Sequence, residues 1–284
     1  MYSYDWGKAW KESQAGSTIR TQTISEDGWE KYWDVAAPQY LKEIKEEESF
    51  YDEIVEYLVR NRALCIGDSV LDIACGPGTY TLLFARFARS VTGLDYSAGM
   101  LNTLETEAKR RGMNNISTLR TKWEDFGQTA KYDHVFTSLS PAVRDENSLL
   151  RMEDHSSRTC CYVTFGDTGD LRLRNELWSL LVGEYNSGDS YSVTYPFNLL
   201  YSKGRKPSLR FFERESVIRI PSEVLIDNYT VYFRIFTNMD AGKRKLLEDY
   251  VNSRSENGIF ERRTKKSLAV MHWEVPEDKT IDKA

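Results

Sequence analysis

Between residues 69 and 166, short apolar runs alternate with helical stretches, and this rhythm constrains the fold more than any other feature. Residues 69–74, 90–95, 116–121, 132–138 and 160–166 read as strands. Residues 80–87 and 97–111 read as helices between them, the second ended by Gly112 as a C-cap. Strands that are apolar on both faces and linked by helices predict an α/β fold. Its sheet is doubly wound, mostly parallel and covered on both sides.

The flanks follow other patterns. Residues 1–28 look polar and irregular. Trp29, Tyr32, Trp33 and Ala36 then fall at i, i+3, i+4 and i+7, a helical stripe that Pro38 should interrupt. A second helix, 44–60, carries Phe50, Ile54, Tyr57 and Leu58 on one face. Beyond residue 168, 172–186 reads as a helix, 207–220 as a long strand or bent pair, 221–258 as helical, and 266–275 as a last strand. We therefore divide the chain into an N-terminal helical lid (1–60), a core (61–168), an inserted cap that includes part of the sheet (169–262), and the last strand with its tail (263–284).

Composition narrows the function. The formal net charge is −5, which offers no basic face for a phosphate backbone, so nucleic acid is not the expected partner. The N-terminus lacks a signal-peptide core, and no run of eighteen apolar residues could span a membrane. Cys65, Cys75, Cys160 and Cys161 form no CxxC pair, and the three histidines lack metal spacing. We expect reduced thiols, a cytoplasmic location and no metal.

The stretch Val70–Thr81, VLDIACGPGTYT, ends the first strand on a glycine cluster. Gly76 and Gly78 let a backbone take positive φ and approach a ligand closely. The helix after them offers free N–H groups to an anionic group. A dinucleotide fingerprint would need a third glycine, which is absent, and an acidic residue about 20 positions on. That residue exists, as Asp95 at the end of the second strand, where a carboxylate can hold both hydroxyls of a ribose.

VLDIACGPGT followed by VTGLDYS resembles the class I S-adenosylmethionine-dependent methyltransferases, over residues 29–168 plus the final strand. The resemblance implies a Rossmann-like, seven-stranded sheet and S-adenosylmethionine as cofactor, leaving S-adenosylhomocysteine as product. It implies that Asp72, Ala74, Cys75, Gly76 and Gly78 form the cofactor loop, with Asp72 ordering it and the methionine amino end. Asp95 would hold the ribose, Tyr96 and Met100 would border the adenine, and Trp123 and Glu124 would meet the adenine amine. Pro77 departs from the usual loop. Ser138, Ser140 and Pro141 would line the reaction site; Ser138 would also border the cofactor. The fourth strand's end lacks the Asn/Asp-Pro-Pro-Tyr/Phe pattern of enzymes that methylate base amines.

In-line methyl transfer depends mostly on alignment, so no obligatory catalytic residue is assigned. The acceptor pocket is expected from the aromatic-rich additions to the core, with Trp29, Tyr32, Trp33, Tyr195, Tyr201 and Arg234 as contacts. Packing is the competing role for each. The leading expectation is a methyltransferase for a small molecule. The alternatives are an RNA or protein methyltransferase, a non-catalytic cofactor-binding protein and, more distantly, a nicotinamide-dependent oxidoreductase.

Overall fold

The apolar runs are buried from both sides, and β1 (Ser69–Ile73) is buried at every position. The computed structural model describes residues 4–25, 27–167, 172–185 and 192–277. Strand β1 pairs in parallel with β2 (Ser90–Asp95) and β4 (Tyr132–Ser138). Strand β2 pairs with β3 (Ile116–Arg120), and β4 with β5 (Ser156–Phe165), also in parallel. Strand β8 (Ile259–Glu274) runs antiparallel between β5 and β6 (Ser208–Pro221), and the two-residue β7 (Ser255–Glu256) joins β8. The order is β3-β2-β1-β4-β5-β8-β6. Strand order reverses at β1, so a crevice opens beyond the carboxyl ends of β1, β2 and β4.

Each face of the sheet has its own helical layer. Val70, Phe136 and Cys161 pack with Phe50 and Ile54 of α4 (Glu48–Arg60) and with α5 (Thr81–Phe84). Leu71, Val135 and Cys160 face the other way. They meet Trp10 of α1 (Trp6–Ala15), Leu149 of α7 (Glu146–Asp154) and Leu199 of α9 (Thr194–Ser202). Helix α6 (Ala98–Arg110) packs Leu101 and Leu104 on Cys75. A third cluster joins α8 (Arg172–Leu181), α10 (Ser222–Phe233) and α11 (Ala241–Asn252) to Ile220 and Phe260, far out on β6 and β8. Because β6 is parallel to β1, this cap rises above the crevice. Trp29 and Tyr32 of α3 (Asp27–Glu46) pack into it.

Several sequence expectations need correction. The described residues of 1–28 are not irregular: α1 and α2 (Thr18–Thr21) form there, and Trp10 is fully buried. Helix α1, within the 1–60 segment expected to form a lid, packs on the opposite face of the sheet. Pro38 lies inside a continuous α3. It deprives the Asp34 carbonyl of its usual donor, and Asp34 is where α3 turns toward α6. The last strand starts at Ile259 rather than 266, since its outer half pairs with β6 and β7 beyond the end of β5.

Candidate cofactor and acceptor site

Asp72 sits in β1 and is buried; Thr81 Oγ1 donates to its Oδ2 at 2.6 Å. That bond ties the strand end to the start of α5 across the glycine loop. Burial pushes the Asp72 carboxyl up to about 7, against the Thr81 hydrogen bond. Within the loop, Ala74, Gly76 and Gly78 have φ of 54°, 56° and 95°. The two glycines serve different ends. A Cβ on Gly76 would meet nothing nearer than Met100 Sδ at 3.9 Å, so that backbone presents an open face. A Cβ on Gly78 would collide with Leu104 and Leu82, so that glycine lets the loop settle on α6. Ala74 bears its left-handed backbone with a side chain, at a cost of roughly 1–2 kcal/mol.

Asp95 links the second strand to this loop. Its Oδ2 accepts from Gly76 N at 3.0 Å and its Oδ1 from Ser97 N at 2.9 Å. Both oxygens keep a further lone pair, so the carboxylate is held in place with capacity for a vicinal diol. Burial raises its pKa, and the backbone N–H groups oppose the rise. Tyr96 is half-buried beside it, and Met100 is buried beneath Gly76. The open face of Gly76 and the anchored carboxylate fit S-adenosylmethionine. Among the described residues, no cluster of His, Cys, Asp or Glu could hold a metal.

Helix α3 is fastened over this corner by a residue the sequence reading missed. Asp34 Oδ1 accepts from Ser97 Oγ at 2.6 Å and from Gly99 N at 2.8 Å, capping α6 from another helix. A Cβ on Gly99 would lie 2.7 Å from Asp34 Cα, so only glycine permits the approach. Arg120 adds a second fastening, donating to Glu30 at 2.8 Å and to the Tyr96 carbonyl at 3.3 Å. Gly99 is the only local signal of this contact in the sequence.

At the end of β4, Ser138 and Ser140 are half-buried and Pro141 is exposed. Leu139 turns the chain with φ 49°, and Ser140 Oγ accepts from Ala142 N at 3.0 Å. Above this turn, α3 and α4 meet the paired outer halves of β6 and β8. Lys266 donates to Glu47 and, at 2.9 Å, to the Tyr51 hydroxyl. Glu47 also accepts from Ser216 Oγ at 2.5 Å. Burial pulls the Lys266 ammonium down, but Tyr51 and Glu47 outweigh it and hold it above its ordinary value. Burial raises the carboxyl of Glu43, and it raises the Tyr32 phenol, with Tyr229 and Glu43 adding to the latter.

Other expected contacts lie elsewhere. The Trp123 side chain is in the core, 2% exposed; its Nε1 donates to the Ser148 carbonyl at 3.1 Å, and the ring stacks on Phe126. Glu124 is exposed beside Lys122. The Cys75 thiol points toward Gly93 and the α6 packing, so only its backbone belongs to the loop. Tyr195 packs on the cluster of the opposite sheet face. Tyr201 is 66% exposed near the end of α9, which leads to the start of β6 and so lies at the far end of the sheet. Arg234 is exposed just after α10. Trp29 and Tyr32 are packing residues against Tyr232. Trp33 stacks between Tyr32 and Tyr40, with centroids at 4.8 and 6.3 Å.

Residues 70–153 match the family model described as a methyltransferase domain. A Haemophilus influenzae protein, described only as uncharacterized, is 27% identical over 185 residues, 65% of this chain and 67% of that protein. A 23S rRNA (uracil(1939)-C(5))-methyltransferase of Aeromonas hydrophila is 46% identical over 48 residues, 17% of this chain and 11% of its own length. The chain thus spans a small part of that relative. The crystal structure of a candidate methyltransferase of Bacillus halodurans shares the fold, with TM-score 0.50 and 15% identity over 78% of this chain and 98% of that one. Residues 70–153, with the anchored Asp95 and the positive-φ loop at the crevice, thus carry a methyltransferase domain, and the chain shares the fold of that solved structure.

Proposed function

We propose that the protein transfers the methyl group of S-adenosylmethionine to a small-molecule acceptor. The observation that carries the cofactor half is the Asp95 carboxylate, bonded to Gly76 N and Ser97 N at the switch point of the sheet. The cofactor supplies an activated methyl on a sulfonium. The chain's part is to bind and align: Asp95 for the ribose, the Gly76 backbone beneath it, and Asp72 toward the methionine amino end. When bound, the cofactor would supply the methyl for in-line displacement and leave as S-adenosylhomocysteine, with the chain's residues holding acceptor and methyl in line.

The acceptor half rests on enclosure. Tyr51 and Tyr80 are buried, and Tyr32 and Tyr40 are half-buried, among α3, the outer halves of β6 and β8, and the cap. Buried aromatic and polar side chains beside the end of β4 suit a small molecule better than a polymer. The four cysteines form no disulfide and three are buried, which suits a reducing compartment such as the cytoplasm. The test is transfer of tritiated methyl from S-adenosylmethionine to a cell extract, fractionated by dialysis. Label in the dialysable fraction supports the proposal; label only in retained RNA or protein refutes it.

A further inference from the structure

Tyr80 closes the glycine loop and precedes α5, yet neither the cofactor contacts nor the loop geometry uses its hydroxyl. The side chain is 3% exposed. Its ring lies 4.6 Å from that of Phe136, 5.5 Å from Tyr51 and 5.9 Å from Phe84, centroid to centroid. Its Oη is fully buried and makes no hydrogen bond. A phenylalanine would fill the same space without an orphaned polar atom, so the hydroxyl is unfavourable to the fold as it stands.

The hydroxyl's direction gives it a use. Phe136 and Ser138 point to the same face of β4, two residues apart. A ring seated on Phe136 therefore aims its oxygen along the strand toward Ser138, at the end where the methyl is moved. Ser138 favours the ionised phenol, and Tyr51 and Tyr40 oppose it. Burial is the larger influence and holds the phenol well above its ordinary pKa, so it stays protonated. Its neighbour Tyr51 is already engaged by Lys266.

We propose that Tyr80 Oη is a direct contact for the methyl acceptor, holding its attacking oxygen or nitrogen beside Ser138. The inference rests on the methyltransferase reading above. A protonated phenol is no base; it can donate to a lone pair or accept an X–H, and so orients the attacking atom. The acceptor class that follows is a small molecule attacking through a hydroxyl or amine, not through carbon. The specificity lies in that one hydrogen bond, because a site built to pair a polar atom rejects analogues that lack it.

The test is Tyr80→Phe, which deletes only the oxygen. Three quantities are compared with wild type: affinity for S-adenosylhomocysteine by calorimetry, urea unfolding, and the rate of tritiated-methyl transfer to the dialysable fraction of a cell extract. The expected result is unchanged affinity, equal or greater stability, and transfer slower by about tenfold or more. Mass spectrometry of the labelled product should place the methyl on oxygen or nitrogen. Transfer at the wild-type rate, or a methyl on carbon, overturns the inference. An equal loss of S-adenosylhomocysteine affinity also overturns it, since Tyr80 would then serve the cofactor. Wild-type protein that binds no S-adenosylhomocysteine refutes the methyltransferase reading itself.

Discussion

Asp72→Asn isolates the energetic consequence of burying a carboxyl under the cofactor loop. The carboxyl's ordinary pKa is 3.8, and burial lifts it to about 7 in the folded chain. Below the lower value the group is protonated in both states and contributes nothing. Between the two values the unfolded chain has released its proton and the folded chain has kept it. The unfolded state then binds fewer protons, so stability falls as pH rises through this window. A shift of about three units corresponds to about 4 kcal/mol, reached above pH 7. Asparagine keeps an oxygen for the Thr81 hydroxyl and cannot ionise. The stability difference between Asp72→Asn and wild type should therefore grow from near zero below about pH 4 to about 4 kcal/mol in favour of the variant at about pH 8. Urea unfolding across a pH series measures it. A flat difference, or a wild type more stable than the variant at high pH, would refute the reasoning.

Two further substitutions probe the same corner. Ala74→Gly should stabilise the chain by up to about 1 kcal/mol, the relief of a left-handed backbone less the entropy of glycine; thermal unfolding would register it as a raised midpoint. Gly99→Ala should destabilise by about 1–3 kcal/mol, because its Cβ would meet Asp34 backbone at 2.7 Å. It should also weaken S-adenosylhomocysteine binding in calorimetry, since the displaced α3 no longer holds the Ser97–Gly99 turn.

The sequence and the structure agree where short-range patterning decides. Strands β1, β2 and β4 are apolar runs that must be covered on both faces, and they end where the pattern ends. Gly76 and Asp95 were legible for the same reason: a strand end followed by glycine, and a strand end followed by an acid, are local signals. Helix α1 was not legible, because Trp6 and Trp10 are isolated among polar residues and only packing on the opposite face makes them a helix. Trp123 misled because a strand's exit direction is not written in its residues; its indole turns inward to the Ser148 carbonyl. Asp34 and the Tyr80 hydroxyl depend on partners, or on the lack of them, far away in sequence. The outer halves of β6 and β8 carry alternating polar residues that reveal their face only against α3 and α4.

Calorimetry with S-adenosylhomocysteine on wild type and Asp95→Ala tests the central claim most directly. Asp95 joins Gly76 N and Ser97 N to the proposed ribose site, so its loss removes both the diol contact and the loop's anchor. Wild type should bind one equivalent, and Asp95→Ala should bind more weakly by about a hundredfold, two charge-assisted hydrogen bonds at about 1.5 kcal/mol each. Equal affinity in the two proteins, or no binding by wild type at millimolar ligand, would contradict the account.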